Sequence, residues 1–403
     1  MPRARTSSLP NLGRDASRLI ALATALHNSG SRVEDRYWET ELASLLRKLL
    51  ANGKDQVIDN ALDHLSQHHL GAYEVLMEQA ETLSESCVLE KDGILYDVLL
   101  VLAPLVAWTR YSIPANLIES KTLGALAQQM RQHVLAPNSK FALMPRLASL
   151  DQMPRSFCET WSWLQSLGNK ALDMPAEEPK LNEPPESFNM LADTRYLVGA
   201  IAVEQNKPIF SWQVPSTDLS TDRAKCLEQW TKATQIHFAD LLPGCGFEIL
   251  VPDAYYVSNR EADRRVRPLS LKAAVTWLCG ALNTEADQLR AIVAGCGEQR
   301  IEEYRIGFTQ RNQNEVIYGC LWPMYGREDD QNILDPDAPI INTADEIVAI
   351  IKECGVTDVR KLSGTLNLDF CDDCGAPYFP NPNGEMVHAE LPEDAETAPA
   401  HFH

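Results

Sequence analysis

The residues best suited to chemistry are two cysteines near the C-terminal end of the chain. Cys371 and Cys374 are separated by two aspartates and followed directly by Gly375. Two thiolates at this spacing bind one metal ion from a tight turn whose backbone N–H groups point at sulfur. The glycine permits the left-handed backbone conformation that such a turn needs. The pattern predicts a zinc knuckle that holds a structural Zn²⁺.

A Cys-x-x-Cys pair supplies only two of the four ligands of a structural zinc, and His388 is our predicted third ligand. A regular hairpin turning at Asn383-Gly384 would set His388 opposite Phe379, about 5 residues or ~16 Å along the strand from Cys374. Pro380 and Pro382 within this hairpin also disfavour a regular ladder. We therefore expect His388 to reach the knuckle only if the chain folds back.

Three other residues compete to complete the site. A turn at Ser363-Gly364 would bring Cys354 close to Asp373, and therefore close to both knuckle thiols. His401 and His403 lie at the C-terminal end of the chain. The sequence does not choose between these candidates.

Two other interpretations of the cysteine pair stay open. A redox dithiol needs thiols whose pKa is depressed by a helix N-terminus or by nearby cations, whereas we expect Asp372 and Asp373 to raise the thiol pKa. The pair could also be a turn with two buried, inactive thiols. Metal binding is the interpretation that the spacing favours.

A cluster of arginines is the second candidate site. Arg260 and Arg264 are four residues apart, so they share one face of a predicted helix, and Arg265 and Arg267 follow. We predict that Arg260, Arg264 and Arg267 could bind a carboxylate or phosphate ligand. The alternative is that the arginines only offset the acidic residues around them.

Charge is distributed unevenly along the chain. The whole chain of 403 residues has a net charge of −20. Residues 1–172 contain 17 basic and 18 acidic residues, whereas residues 173–403 contain 19 and 38. A surface as acidic as the second part repels nucleic-acid phosphates and anionic lipids. We therefore expect no membrane association, and we expect nucleic-acid binding to be disfavoured.

Targeting signals and membrane spans are not evident in the sequence. Residues 1–13 begin with a basic segment that lacks the apolar core of a secretory signal, and we interpret them as a flexible basic arm. The most apolar stretch, residues 98–108, is far shorter than the roughly 20 residues that a transmembrane helix needs. The ten cysteines are scattered and do not form a disulfide framework. These features predict a cytoplasmic protein.

The pattern of apolar residues divides the chain into five segments. Residues 14–172 have helical periodicity and predict stacked helical hairpins, with residues 94–108 as a buried fifth helix and residues 117–134 as a sixth. Residues 173–187 are rich in Pro and Glu and predict a linker. Residues 188–366 predict an α+β domain, and residues 367–403 form the tail that carries the cysteine pair. Residues 1–13 are the basic arm.

Within the α+β domain the predicted elements follow one another closely. They are a hairpin of 196–203 with 208–212, a helix at 222–242, a strand at 247–251, helices at 253–266 and 269–282, a hairpin of 301–309 with 316–322, a helix at 343–354, and strands at 358–362 and 366–370. The order strand, strand, helix, strand occurs in residues 195–252 and again in 300–363. We interpret this as a possible internal duplication with a cleft between the two halves.

The sequence thus predicts an α+β protein: an all-helical N-terminal domain, an acidic α+β domain with antiparallel hairpins, and a zinc-knuckle-like C-terminal tail. No phosphate-binding loop or nucleophile elbow is present. We expect a binding or scaffold protein in which the helical domain docks a protein partner. The alternative is an enzyme that acts on a small anionic substrate held by the arginines. Whether the protein is an enzyme, and its oligomeric state, stay undetermined.

Several stretches together carry a resemblance to a known family. They are residues 29–35, 61–65, 107–114, 242–245, 371–377 and 387–392. With them the whole chain resembles a family of bacterial proteins, found mainly in betaproteobacteria, that is classified as a domain of unknown function. The resemblance implies a bacterial cytoplasmic protein and transfers no activity or catalytic residue.

Overall fold

The computed structural model describes residues 12–109, 113–181, 192–214, 223–298, 300–324, 342–392 and 395. Over these residues the protein is mixed α and β. The helices are α1 Arg14–His27, α2 Arg32–Ala51, α3 Asp55–His68, α4 Leu70–Glu85, α5 Ser120–His133, α6 Phe157–Ala171, α7 Arg223–Leu241, α8 Tyr255–Ala281 and α9 Thr343–Glu353.

The strands belong to one large sheet, a second sheet and a short terminal hairpin. They are β1 Ser86–Lys91, β2 Ile94–Trp108, β3 Lys140–Ser149, β4 Ala192–Glu204, β5 Gly246–Ile249, β6 Asp253–Ala254, β7 Leu289–Cys296, β8 Glu303–Gln310, β9 Tyr318–Pro323, β10 Asp358–Leu366, β11 Phe379–Pro380 and β12 Met386–Val387.

Helices α1 to α4 form a bundle with its own core. Each helix buries a stripe of Leu, Ile and Ala spaced three and four residues apart, and Phe157 and Trp161 of α6 pack against that core. The N-terminus of α2 is capped by Ser31, whose hydroxyl accepts from the Glu34 N–H at 3.3 Å. The helical prediction is confirmed for this part of the chain.

The predicted fifth helix is wrong, because residues 94–108 form strand β2. Alternate residues of β2 point to opposite faces, so Leu100 and Leu102 enter one core whereas Val101 and Ala103 enter another. A strand that is buried on both faces is continuously apolar, and periodicity alone does not separate it from a buried helix. The sequence pattern was therefore ambiguous at this point.

Strand β2 is the centre of the first sheet, whose main path is β1-β2-β4-β3. Strands β5 and β6 pair with β2 beside β1, and every pair in this sheet is antiparallel. Helices α6 and α8 pack on one face, and α5 and α7 pack on the other. Because β2 pairs with β4, this sheet joins residues from both sides of the predicted linker.

Other expectations around the first sheet have different outcomes. Residues 208–212 do not form a hairpin with β4, since β4 is already paired on both edges by β2 and β3. The described part of the predicted linker packs against α6, where the Trp163 indole donates to the Lys180 carbonyl at 3.1 Å. The predicted helix at 222–242 and strand at 247–251 are confirmed as α7 and β5.

Helix α8 is one continuous helix of 27 residues, with Pro268 inside it. The prediction of two helices was therefore wrong at the proline. Residues before Pro268 pack in the core of the first sheet, and Leu271, Val275 and Leu278 after it pack in the core of the second. At 1.5 Å per residue, α8 spans ~40 Å and belongs to both cores.

The second sheet has the order β10-β7-β8-β9. The hairpin of β8 and β9 and the helix α9 confirm their predictions, whereas β7 was not predicted. Strand β10 runs parallel to β7 and continues through Ser363-Gly364 with only a register shift. The predicted turn at Ser363-Gly364 is therefore wrong.

The two segments of the suggested duplication lie in different sheets. Strands β4 and β5 are both antiparallel to β2, so they run in the same direction. Strands β8 and β10 are antiparallel and parallel to β7, so they run in opposite directions. The two segments thus do not share one strand arrangement.

Candidate metal centre

The segment that carries the two cysteines is a tight, closed turn. The Cys371 N–H donates to the Ala376 carbonyl at 2.8 Å, and the Gly375 N–H donates to the Cys371 carbonyl at 2.9 Å. Gly375 has a φ of +71°, the left-handed conformation for which glycine was expected. Phe370 and Pro377 form a bridge across the base of the turn. The chain therefore reverses direction around Cys374 instead of extending away from it.

The histidine comes from the hairpin that follows. Strands β11 and β12 pair Phe379 with Val387, so the position opposite His388 is Tyr378. The buried Asn381 side chain fixes the turn of this hairpin, because its oxygen accepts from the N–H groups of Asn383 and Glu385. The ~16 Å separation that an extended chain would give does not arise, because residues 371–377 fold back.

These two turns bring Cys371, Cys374 and His388 together. Their ligand atoms all lie within 4.8 Å of one another. The Cys374 Sγ and the His388 Nε2 are 3.3 Å apart. The group could hold a metal ion, and its three members are the residues that the sequence predicted.

Electrostatics favour the thiolate form of Cys371. The backbone N–H groups of Cys374 and Asp373 lower the pKa of the Cys371 thiol, and the Cys374 side chain and the Tyr378 hydroxyl contribute in the same direction. The Cys371 thiolate in turn raises the pKa of Tyr378. The expectation that the two aspartates would raise the pKa is wrong for Cys371, because N–H groups directed at the sulfur outweigh carboxylates that point into solvent. The thiolate is also the form that binds metals.

His388 has a carboxylate beside its other nitrogen. The His388 Nδ1 is buried and makes no hydrogen bond, and the nearest Glu390 carboxylate oxygen is 3.7 Å away. A histidine that binds a metal through Nε2 usually directs its Nδ1–H to a carboxylate or carbonyl. Glu390 is thus the carboxylate beside this nitrogen, and the sequence reasoning missed it.

The other residues predicted to compete for the metal were Cys354, His401 and His403. Cys354 ends α9, ahead of β10, whereas the knuckle follows the far end of β10, so a strand of nine residues separates them. Cys354 instead lines a groove between α8 and α9 together with Cys279. The prediction of Cys354 as a ligand is wrong because it depended on the turn at Ser363-Gly364. His401 and His403 lie outside the described residues.

A fully buried arginine of strand β8 holds the cysteine turn in place. The Arg305 Nη1 donates to the carbonyls of Asp369 and Tyr378 at 2.5 and 2.9 Å, and its Nε donates to Glu303 at 2.6 Å. The guanidinium carbon also lies 4.9 Å from the centroid of the Phe370 ring. The sequence reasoning missed Arg305, although it lies on the opposite strand face from Tyr304, Ile306 and Phe308.

Two glycines allow the tail to lie directly on the second sheet. A Cβ atom at Gly307 would be 2.2 Å from the Pro380 carbonyl oxygen, and one at Gly319 would be 2.3 Å from the Phe379 ring. These glycines face each other across β8 and β9. Two glycines on the same strand face as Arg305 are a sequence signal that could have predicted close packing of another segment on this face.

The arginine cluster is engaged by carboxylates of the chain. Arg260 donates twice to Glu81 at 2.8 and 3.0 Å, and Arg264 pairs with Glu261 at 3.0 Å. Arg265 shares Glu261, and the buried Arg267 pairs with Asp263. These contacts are those expected if the arginines offset nearby acidic residues, which was the alternative interpretation.

Comparisons with known proteins place the chain in a family without assigning it an activity. No helix in the described part of the chain has the length and apolar character to cross a membrane. No curated protein and no solved structure matches the chain. One family model matches residues 4–402, which is nearly the whole chain. The chain therefore belongs to the family described as Protein of unknown function (DUF2863).

Proposed function

We propose that the protein is a cytoplasmic, non-enzymatic binding or scaffold protein with a structural Zn²⁺ bound by Cys371, Cys374 and His388. The observation that carries this proposal is the convergence of the three ligand atoms within 4.8 Å. Two thiolates and one imidazole are a ligand set typical of zinc.

The metal would fix the tail on the second sheet. Residues 369–390 are polar and rich in proline, so they bury few apolar side chains of their own. They nevertheless contact β8 through Arg305 and through the close approach at Gly307. A metal that joins Cys371 and Cys374 of one turn to His388 of the next hairpin would hold both on this sheet, because metal binding contributes directly to folding free energy.

The scaffold role is supported by the arginines and by the surface of the helical bundle. The arginines of α8 pair with carboxylates of the chain, so their charge is offset within the protein, which favours the scaffold role over an anion-binding site. On α2, Val33 and Tyr37 are one turn apart and are 82% and 58% exposed. Exposed apolar residues on one helix face are suited to a protein partner.

The compartment follows from the thiols. All ten cysteines are free, including those in the interior. Free thiols in this number are typical of a reducing compartment. The free thiols therefore support our proposal of a cytoplasmic protein.

Metal analysis of the purified full-length protein tests the zinc site. We expect one equivalent of zinc in the wild type and its loss in Cys371→Ser and in Cys374→Ser. Cys354→Ser is the matched control, because it removes a thiol outside the group and should keep the metal. Less than about half an equivalent in the wild type, or equal loss in the control, would contradict the proposal.

The docking surface is tested in the full-length protein by co-purification. We expect partners to be lost from a Val33→Ser, Tyr37→Ser variant. Ile236→Ser on α7 is the control, since Ile236 is also an exposed apolar residue. Retention of the same partners by the α2 variant would exclude that helix as the docking surface.

A further inference from the structure

Within the described residues, the metal centre has three ligands, one fewer than a closed structural zinc site. Zinc in such sites is four-coordinate and tetrahedral. Among the described residues, Cys371, Cys374 and His388 are the group with mutual distances that fit one ion, whereas Cys354 precedes the first residue of β10 and the cysteine turn follows its last. The three ligands among the described residues leave one coordination position for a further ligand, as in zinc sites that exchange their fourth ligand.

That position is accessible from solvent. Cys374 is exposed, and the His388 side chain is 37% exposed. The backbone behind the group is closed off by Arg305, which binds the carbonyls of Asp369 and Tyr378 at the base of the turn. The ligands are thus anchored on the side of the sheet, and the centre faces outward.

The orientation of His388 allows it to supply only one ligand atom, so the fourth coordination position stays open. Its Nε2 faces Cys374, and its Nδ1 faces the Glu390 carboxylate. Because Nδ1 lies on the side of the ring away from the cysteines, only Nε2 can bind the same ion as Cys374. His388 therefore supplies one ligand atom, in a fixed direction.

The charges around the centre select the kind of ligand that can enter. Two thiolates already neutralise the charge of a divalent metal. Asp372 and Asp373 are exposed beside them, and Glu390 lies behind His388. An anionic ligand is repelled by these three carboxylates, whereas a neutral nitrogen donor is not.

We propose that the fourth position of this metal centre takes a neutral imidazole donor from another molecule, in the form of a histidine side chain of a protein partner. The inference rests on the proposed metal-binding scaffold function and names the chemistry by which a partner is recognised. Imidazole is a common zinc ligand, and a partner histidine would complete the tetrahedron.

The experiment uses the full-length protein loaded with one equivalent of Co²⁺, with free imidazole and the uncharged N-acetylhistidine methylamide as probes. Co²⁺ adopts the same tetrahedral site, and its visible absorption reports the ligand set. We expect a saturable shift of the d–d bands with either probe, while the thiolate-to-cobalt charge-transfer bands keep their intensity because both cysteines stay bound. His401→Ala and His403→Ala should behave as the wild type does.

Two results would overturn the inference. A cobalt spectrum that is fully tetrahedral and unchanged by imidazole shows that the position is already filled. Loss of tetrahedral intensity in His401→Ala or His403→Ala shows that the chain's own tail fills it. Failure of the proposed function looks different, because a protein that binds no cobalt gives no charge-transfer bands at all.

An anion provides the matched comparison for the charge argument. We expect azide to bind more weakly than imidazole, and we expect the Asp372→Asn, Asp373→Asn variant to raise azide affinity by about two- to fivefold. Imidazole affinity should stay unchanged in the same variant. An equal gain for both probes would show that the carboxylates do not discriminate by charge.

Discussion

The two sheets of this protein are covered in different ways. Helices pack on both faces of the first sheet, so β2 and β4 are buried between two apolar cores. Helices α8 and α9 pack on only one face of the second sheet. Its other face carries Arg305, Gly307 and Gly319 and is covered by the tail that contains Cys371, Cys374 and His388.

This difference shows two physical routes to a buried sheet. The first sheet obtains its cover from side-chain hydrophobicity, which needs amphipathic helices. The second obtains part of its cover from backbone proximity at two glycines, from a buried guanidinium, and from a candidate metal centre. A covering layer of this second type depends on a few specific contacts, so single substitutions there should have concentrated effects.

The largest expected effect is that of Arg305→Ala. Removing the guanidinium leaves the Glu303 carboxylate without its partner and takes one hydrogen-bond donor from each of the carbonyls of Asp369 and Tyr378. We expect the free energy of unfolding to fall by about 3–5 kcal/mol, as for other broken buried ion pairs. Urea denaturation measures this change.

The control for Arg305 lies in the same sheet. Arg360 pairs with Asp358 but is half exposed, so Arg360→Ala should cost less than about 1 kcal/mol. Equal losses in the two variants would show that burial does not set the strength of these pairs.

The helices that pack on the first sheet contain a buried carboxyl group that costs stability, that of Glu85, where α4 contacts the first turn of α8. Burial raises the pKa of this carboxyl to about 7, although the Tyr256 N–H donates to it at 2.9 Å. Glu81, Arg260 and Asp253 are the charged groups around it. Protein that is folded therefore binds a proton at Glu85 more tightly than unfolded protein does.

The sign of the pH effect follows from that difference. Stability from Glu85 is fully present below its ordinary pKa of 4.5 and is lost as the pH rises through about 7. Glu85→Gln should therefore be about 3 kcal/mol more stable than wild type at pH 8 and nearly equal to it at pH 4.5. Urea denaturation at both pH values checks this, and a difference that does not change with pH would contradict it.

A smaller effect is expected from Gly307→Ala. The added Cβ would meet the Pro380 carbonyl at 2.2 Å and push the tail away from β8, at a cost of about 1–3 kcal/mol. Gly124→Ala is the control, because Gly124 lies in α5 with open space around it and should gain up to about 1 kcal/mol. Thermal unfolding measures both, and a stabilising Gly307→Ala would mean that the tail does not lie tightly on the sheet.

The metal group was predictable because its chemistry is local. Cys371, Cys374 and Gly375 define a turn by themselves, and His388 follows within a short segment. The helices α1 to α4 were predictable because each is half buried, which gives a clear periodicity. In both cases neighbouring residues in the sequence carry the information.

The parts that were not predicted depend on residues far apart in the sequence. The apolar run of β2 becomes a strand because β4, about a hundred residues later, pairs with its residues 96–108. Arg305 looks like an outward-facing residue of a half-buried strand until the tail covers it. A proline usually ends or kinks a helix, but apolar contacts on both sides of Pro268 keep α8 continuous.

Helix α8 also makes the two sheets mechanically dependent on each other. Its first turn is held by Glu85, and its last turns support the core under β7, β8 and α9. Neither core can lose this helix without exposing its own apolar residues to water, so we expect both to melt in one cooperative transition. Protonation of Glu85 at the first turn of α8 therefore also affects the stability of the second sheet, on which the metal centre lies, because the last turns of the same helix pack in the core of that sheet.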